Sequence, residues 1–286
     1  MVATINIASR LNVRNRFAHW MTLFTLVTSA QAQMVPLPLW ELGVFAGTAT
    51  TPAYPGSSDR ATRSLAVPIF VYRGEVLRVE RGDVGARLFS SDSVELDLGF
   101  SASLPASSDD LTARRGMSDL GTLVEFGPRV KLTLARPTPG TRVRLELPVR
   151  AVLEFNNGVR QQGYAFEPEL GIEVRDAGAG WTLSATASLV FGDKDLNNYF
   201  YGVSAPFATV VRPAFDAKAG LITTRLGLST SKGLSPDVRA FGFVRYEWLE
   251  GAANKASTLF QQTAGTSIGL GLLWTVGRSE QRALGP

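Results

Sequence analysis

The sequence predicts an all-β protein, a transmembrane antiparallel β-barrel of about twelve strands with ten as the fallback count. Three observations predict it. Long segments alternate strictly between apolar and polar residues, the pattern of a strand with two unlike faces. They run for about 11–14 residues, where soluble strands average about 5–6. The chain also opens with an export signal, so an envelope is its destination.

That signal occupies residues 1–32. Arg10, Arg14 and Arg16 form a basic n-region, Phe17 to Val27 is mostly apolar, and Ala30-Gln31-Ala32 is an A-x-A site. The expected cut follows Ala32, leaving a barrel over 33–276 and a short tail, 277–286. Removing those three arginines takes the 29 basic residues to 26, against 25 acidic ones. The basic balance that suggests a nucleic-acid partner therefore vanishes. His19, the single histidine, is removed too, and the chain has no cysteine. The commonest nucleophile and general-base chemistries are closed to it, so we expect no enzyme, no cofactor and no metal centre.

The strands follow in order. Segments 40–49, 64–73, 74–81 and 84–90 are strand-like but less cleanly patterned, and 74–90 is where the count is loosest. In 93–104, Val94, Leu96, Leu98 and Phe100 oppose Glu95, Asp97, Gly99 and Ser101. In 123–134, Val124, Phe126, Val130 and Leu132 oppose Glu125, Gly127, Arg129 and Lys131. In 142–155, Leu145, Leu147, Val149 and Leu153 oppose Arg144, Glu146, Arg150 and Glu154. In 164–174, Tyr164, Phe166, Leu170 and Ile172 oppose Glu167, Glu169, Gly171 and Glu173. Later strands have small residues on the polar face. In 181–191, Leu183 and Leu189 oppose Ser184 and Ser188, and in 267–276, Leu270 and Trp274 oppose Gly269 and Thr275. Segments 220–231 and 238–249 complete the set.

Connector lengths set the orientation. Long links (105–121, 193–219, 250–262) and a medium one (156–162) alternate with short ones (136–140, 175–179, 232–237). Outer-membrane barrels have short periplasmic turns and longer external loops. Trp40, Trp181 and Trp274 then sit at the periplasmic strand ends, and Phe155, Tyr164, Phe191 and Trp248 at the outer ends, as two aromatic girdles.

Inward residues must face inward residues. Around 136–140, Arg129 can face Glu146 and Glu125 can face Arg150. Around 156–162, Arg150 can face Glu167 and Arg144 can face Glu173. Across 105–121, Asp97 or Glu95 can approach Arg129. The expected lumen network is therefore Glu95, Asp97, Glu125, Arg129, Arg144, Glu146, Arg150, Glu167 and Glu173. It reads as a selectivity surface or as a salt-bridged filling of a narrow barrel, and mutual compensation favours the filling. Glu167 and Glu169 lie two apart amid bases, a poor acid–base pair. Asp109, Asp110, Asp193 and Asp195 fall in outer loops, where solvated charge outweighs a cation site.

Several segments, in this order and spacing, resemble the MipA/OmpV family of outer-membrane proteins. They are Pro52-Ala-Tyr-Pro-Gly-Ser57, Val71-Tyr-Arg-Gly-Glu75, Ser93-Val-Glu-Leu-Asp97, Ser107-Ser-Asp-Asp110, Ala113-Arg-Arg-Gly-Met117 and Glu125-Phe-Gly-Pro128. Tyr199-Phe-Tyr-Gly-Val203 and Arg212-Pro-Ala-Phe-Asp216 follow. The resemblance covers about 38–276. It implies an outer-membrane barrel of a Gram-negative cell, with members linked to scaffolding a murein synthase with a lytic transglycosylase, and others to adhesion, permeability or antibiotic response. It implies no catalytic residues. Expected partners are outer-membrane lipid, lipopolysaccharide and periplasmic murein enzymes, with no nucleic acid, and a monomer is the default. The last strand runs out at Trp274-Thr-Val276 and a polar tail follows, where such barrels usually finish on a terminal aromatic. Arg114 and Arg115 are read as loop-ordering ion pairs or as contacts to lipopolysaccharide phosphates. Tyr199 to Gly202 either folds inward as a constriction or stays on the surface.

Overall fold

Alternation of apolar and polar residues produces strands whose two faces must meet two different solvents, and closing the sheet satisfies both. The computed structural model describes residues 37–73, 77–80, 83–103 and 105–283. The export signal and its cut after Ala32 lie outside the described residues.

Thirteen strand segments form one antiparallel sheet. In chain order they are β1 (Trp40–Pro52), β2 (Arg60–Arg73), β3 (Leu77–Glu80), β4 (Asp83–Ser90), β5 (Val94–Ser103), β6 (Thr122–Thr138) and β7 (Thr141–Phe155). Then come β8 (Val159–Phe166), β9 (Glu169–Val174), β10 (Trp181–Gly192), β11 (Gly220–Gly233), β12 (Val238–Trp248) and β13 (Ala264–Arg278). β1 pairs with both β2 and β13, and β10 pairs with β11, so the order closes on itself. β8 and β9 both pair with β7 and β10. They are one crossing interrupted at Glu167-Pro168, where proline removes a ladder donor. The sheet thus makes twelve crossings, and the count of ten is not needed. β3 and β4 form the short hairpin within 74–90.

The outward face is apolar. Leu270 is 66% exposed and Trp274 59%, on the same strand whose other face is Ser267, Gly269 and Gly271. Such a face suits lipid, and a closed sheet leaves no unpaired edge in it. Phe155 and Trp248 end their strands at one rim, while Trp40 and Trp181 begin theirs at the other. Among the described residues no helix is long and apolar enough to cross a membrane.

The rims differ. At one, β6 and β7 are joined across Pro139-Gly140 alone, shorter than the 136–140 turn read from sequence, because β6 continues through Pro137 to Thr138. The tail is not loose there. Leu39 N–H donates to the Gln281 carbonyl at 2.8 Å and Ala283 N–H to the Leu37 carbonyl at 2.8 Å. At the other rim lie the 53–59 and 105–121 links, the 249–263 link, and a helix α1 (Lys194–Tyr201) within 193–219.

Candidate functional site

Strand register decides which charges meet. Asp97 on β5 stands directly opposite Arg129 on β6. Arg129 Nε donates to Asp97 Oδ1 at 3.0 Å and Nη2 to Oδ2 at 2.7 Å, a bidentate pair that fixes both side chains. Lys131 Nζ lies 2.8 Å from Asp97 and 3.5 Å from Glu95, and Arg129 Nη1 lies 3.5 Å from Glu146. Arg150 bridges Glu125 at 3.4 Å and Glu167 at 2.5 Å.

The registers behind these pairs differ from those read in the sequence. Arg129 is opposite Pro148, Glu125 opposite Val152, Arg150 opposite Ala165 and Arg144 opposite Gly171. Each ladder is displaced by two residues, because the turns close elsewhere, Thr138 facing Thr141 and Phe155 facing Val159; the irregularities at Thr133/Ala135, Ala135/Thr138 and Val152/Leu153 take back only part of the offset. A two-residue slip keeps every side chain on its face, and long side chains reach the diagonal neighbour. Arg129 and Glu146, and Glu125 and Arg150, therefore meet although they are not paired. Arg144 and Glu173 form no ion pair with each other among the described residues. Glu173 is opposite Arg142 and receives Arg175 Nε at 2.6 Å, while Arg144 joins none of these ion pairs.

Sequence reasoning missed Lys131 and the far end of the chain of charges. Arg225 on β11 places Nη1 2.9 Å from Glu167 and Nε 2.9 Å from Glu247 on β12. Both residues lie on strands recognised in the sequence, Arg225 in phase with Thr223, Gly227 and Ser229, and Glu247 in phase with Arg245 and Phe243. The signal that could have found them is a charge of each sign at directly paired inward positions of adjacent strands, Arg225 opposite Glu247.

Over this network sits a cap. Asp193 is the N-cap of α1, accepting Leu196 N–H at 2.9 Å, the role the side-chain type favours. Gly163 (φ +109°) makes room for it, since a Cβ there would come 2.2 Å from Asp193 Oδ1. α1 sinks Leu196 and Tyr201 among Val152, Ala165, Val190 and Ile222, which are inward-facing strand residues, so the helix plugs the barrel mouth. Tyr201 is 0% exposed. Burial holds its hydroxyl, and that of Tyr199, well above the usual tyrosine range. Glu154 on β7 accepts from Tyr199 at 3.1 Å, from Gly121 N–H at 2.9 Å and from Gln162 at 2.6 Å.

Arg114 is a correction to both surface readings. It is 4% exposed, donates to the Phe200 carbonyl at 3.1 Å and lies over the Tyr54 ring. Burial lowers its pKa. It is an internal clamp, out of reach of lipopolysaccharide. Tyr54 in turn donates to the Leu259 carbonyl at 2.7 Å, and Ser257 to the Tyr201 carbonyl at 2.7 Å. The Tyr199 segment has folded inward.

Beneath the cap, along β10–β13 and β1, is a cavity of about 710 Å³. Its roof is Tyr54, Leu120, Tyr199 and Phe200, and its walls include Phe45, Phe241, Phe243, Arg245 and Ser267. The glycines there are spacers. A Cβ at Gly271 would come 2.5 Å from the Phe45 ring and one at Gly269 2.4 Å from the Phe243 ring. Among the described residues no cluster of His, Cys, Asp and Glu could hold a metal ion.

Solved structures with similar folds are membrane barrels. The NanC porin is 11% identical, covering 82% of this chain and 98% of its own, with a TM-score of 0.39. The translocator domain of the autotransporter NalP from Neisseria meningitidis is 15% identical, covering 82% and 88%, with a TM-score of 0.46. The outer membrane phospholipase A from Escherichia coli is 12% identical, covering 85% and 92%, with a TM-score of 0.37. None of the curated proteins matches. The family model described as MltA-interacting protein MipA matches residues 44–276. With its closed sheet, lipid-suited outer face and that match over most of its length, the chain belongs to the MipA family and is an outer-membrane protein.

Proposed function

We propose that this barrel is a non-enzymatic structural and interaction protein of the outer membrane, exported by a signal peptide cut after Ala32. Its periplasmic end would hold murein enzymes together. The observation that carries the reading is the cap. α1 and the 53–59, 105–121 and 249–263 links fill the long-loop mouth with buried, hydrogen-bonded side chains, as a barrel without a transport task can afford to do. The lumen charges neutralise one another across β5–β9 instead of lining a path. The family is named for interaction with a murein enzyme, which supplies the partner class.

The short turns at the other end offer less surface than a stable interface needs. The zipped segments 37–39 and 281–283 form one joint handle there. Planar-bilayer recording of the purified protein should be silent, and immobilised protein should retain murein enzymes from an envelope extract. Regular conductance steps that shift in size with Arg129→Ala or Arg150→Ala would reverse the conclusion. They would favour the second reading, a narrow channel for small solutes, which the cavity along β10–β13 supports.

A further inference from the structure

Arg245, on the wall of the cavity beneath the cap, is held only loosely by the ion network. The chain of pairs runs Glu125, Arg150, Glu167, Arg225, Glu247. Its next neighbour is Arg245, and there the pairing loosens. Arg245 Nε is 3.9 Å from Glu247 Oε1, too far for a hydrogen bond, and that oxygen already accepts Arg225 Nε at 2.9 Å. Arg245 Nε is buried without a hydrogen-bond partner among the described residues.

Directly across the ladder stands Ser267. Its side chain is 0% exposed, it lines the cavity, and its Oγ has no hydrogen-bond partner among the described residues either. A buried polar group left unpaired costs about 1–3 kcal/mol. Two such groups on one cross-strand pair, both on the wall of one cavity, are a donor set awaiting an acceptor. Arginine's planar fork and a serine hydroxyl suit a carboxylate.

Below them the wall becomes aromatic. Phe45 and Phe241 meet edge to face with centroids 6.2 Å apart, and Phe243 is the next residue on Arg245's face of the strand, opposite Gly269. The glycines let the rings of Phe45 and Phe243 lie against the sheet instead of filling the lumen. The volume, about 710 Å³, falls among ordinary ligand pockets, which combine an apolar lining with a few converging polar groups.

We propose that this cavity binds a small aromatic carboxylate, its anion held by Arg245 and Ser267 and its ring resting on Phe45, Phe241 and Phe243. The roof of Tyr54, Leu120, Tyr199 and Phe200 closes the long-loop side, so the ligand enters from the short-turn rim. This goes beyond the scaffold reading and does not depend on it, because its readout involves neither a murein enzyme nor conductance.

The test is calorimetric titration of the purified protein in zwitterionic micelles with benzoate, benzyl alcohol and benzylamine, with the heat of partition into empty micelles subtracted. Benzoate should bind about tenfold more tightly than benzyl alcohol, the size of one charge-assisted hydrogen-bonded pair. Arg245→Met should bring benzoate down to the alcohol's affinity, and Phe241→Ala should weaken both alike. Ser267→Ala leaves the ion chain intact and should weaken benzoate alone, which guards against a folding defect in Arg245→Met. Equal affinity for acid and alcohol, a preference for benzylamine, or benzoate binding unchanged in both Arg245→Met and Ser267→Ala would each overturn the proposal.

Discussion

The two walls of the lumen use the same strand geometry for opposite ends. On β5–β9 the inward positions carry long charged side chains, and Asp97, Arg129, Lys131 and Arg150 reach across to one another and fill the space. On β13 and β1 the inward positions carry Gly47, Gly269, Gly271 and Ser267, and the space stays empty. The difference teaches that whether a barrel of this size is filled is not decided by strand number. It is decided by side-chain volume, wall by wall. Arg225 and Glu247 mark the border, for they belong by strand to the sparse wall and by charge to the full one.

The largest expected effect breaks that border. Arg225 serves Glu167 and Glu247 at once. Arg225→Met takes from Glu167 one of its two cations, leaving Arg150 at 2.5 Å, and leaves Glu247 only the distant Arg245 at 3.9 Å. Removing one partner of a buried pair costs about 3–5 kcal/mol. The Arg225 side chain keeps 23% exposure, so lumen water screens part of this and we expect a loss near ~3 kcal/mol. Ser229→Ala, further along the same strand face, should stay within about 0.5 kcal/mol. Urea midpoints in micelles, read by tryptophan fluorescence, compare them. Equal losses would mean that the ion chain does not hold the wall.

What was legible in the sequence divides along the same line. The fold was legible because the period of two is local, so Val94 to Phe100 declare an outward face without reference to any other strand. The family was legible because its motifs are spread over the same span that the family model matches. The face of each lumen charge was legible too. Its partner was not, because register depends on where each turn closes and on irregularities such as Val152/Leu153, neither of which carries a sequence mark. The displacement of two residues paired Arg144 with Gly171 instead of Glu173. The cap was the least legible part. Arg114 looks like surface charge in the sequence, and only the arrival of Tyr54 and Phe200 from distant links buries it.

A sharper test asks how each wall tolerates one methyl group. At Gly127, on the charged wall, a Cβ would come 2.0 Å from the Val149 carbonyl oxygen. Backbone cannot yield, so Gly127→Ala should cost about 1–3 kcal/mol as overpacking. At Gly271, on the sparse wall, the same Cβ meets the Phe45 ring at 2.5 Å. That ring can swing into the cavity, so Gly271→Ala should cost less than ~1 kcal/mol and should weaken benzoate binding by narrowing the pocket. The reverse order of stability would mean that the sparse wall is the rigid one.

The smallest effect concerns the roof over the sparse wall. Burial pushes the Tyr54 hydroxyl up to about 12 from an ordinary 10.0, with the nearby Arg114 opposing and Asp59 adding slightly. A raised pKa on an acid means that the fold favours the neutral form. The stabilisation is complete below pH 10 and drains away as pH rises through about 12, because the unfolded chain loses its proton first. Tyr54→Phe keeps the ring under Arg114 and removes only the hydroxyl and its bond to the Leu259 carbonyl, worth about 1 kcal/mol. The gap in stability between wild type and Tyr54→Phe should therefore be constant up to pH 10 and close towards pH 12. A gap that stays constant through that window would mean that Tyr54 is held by the packing of its ring, and that the cap needs no hydrogen bond to rest on this wall.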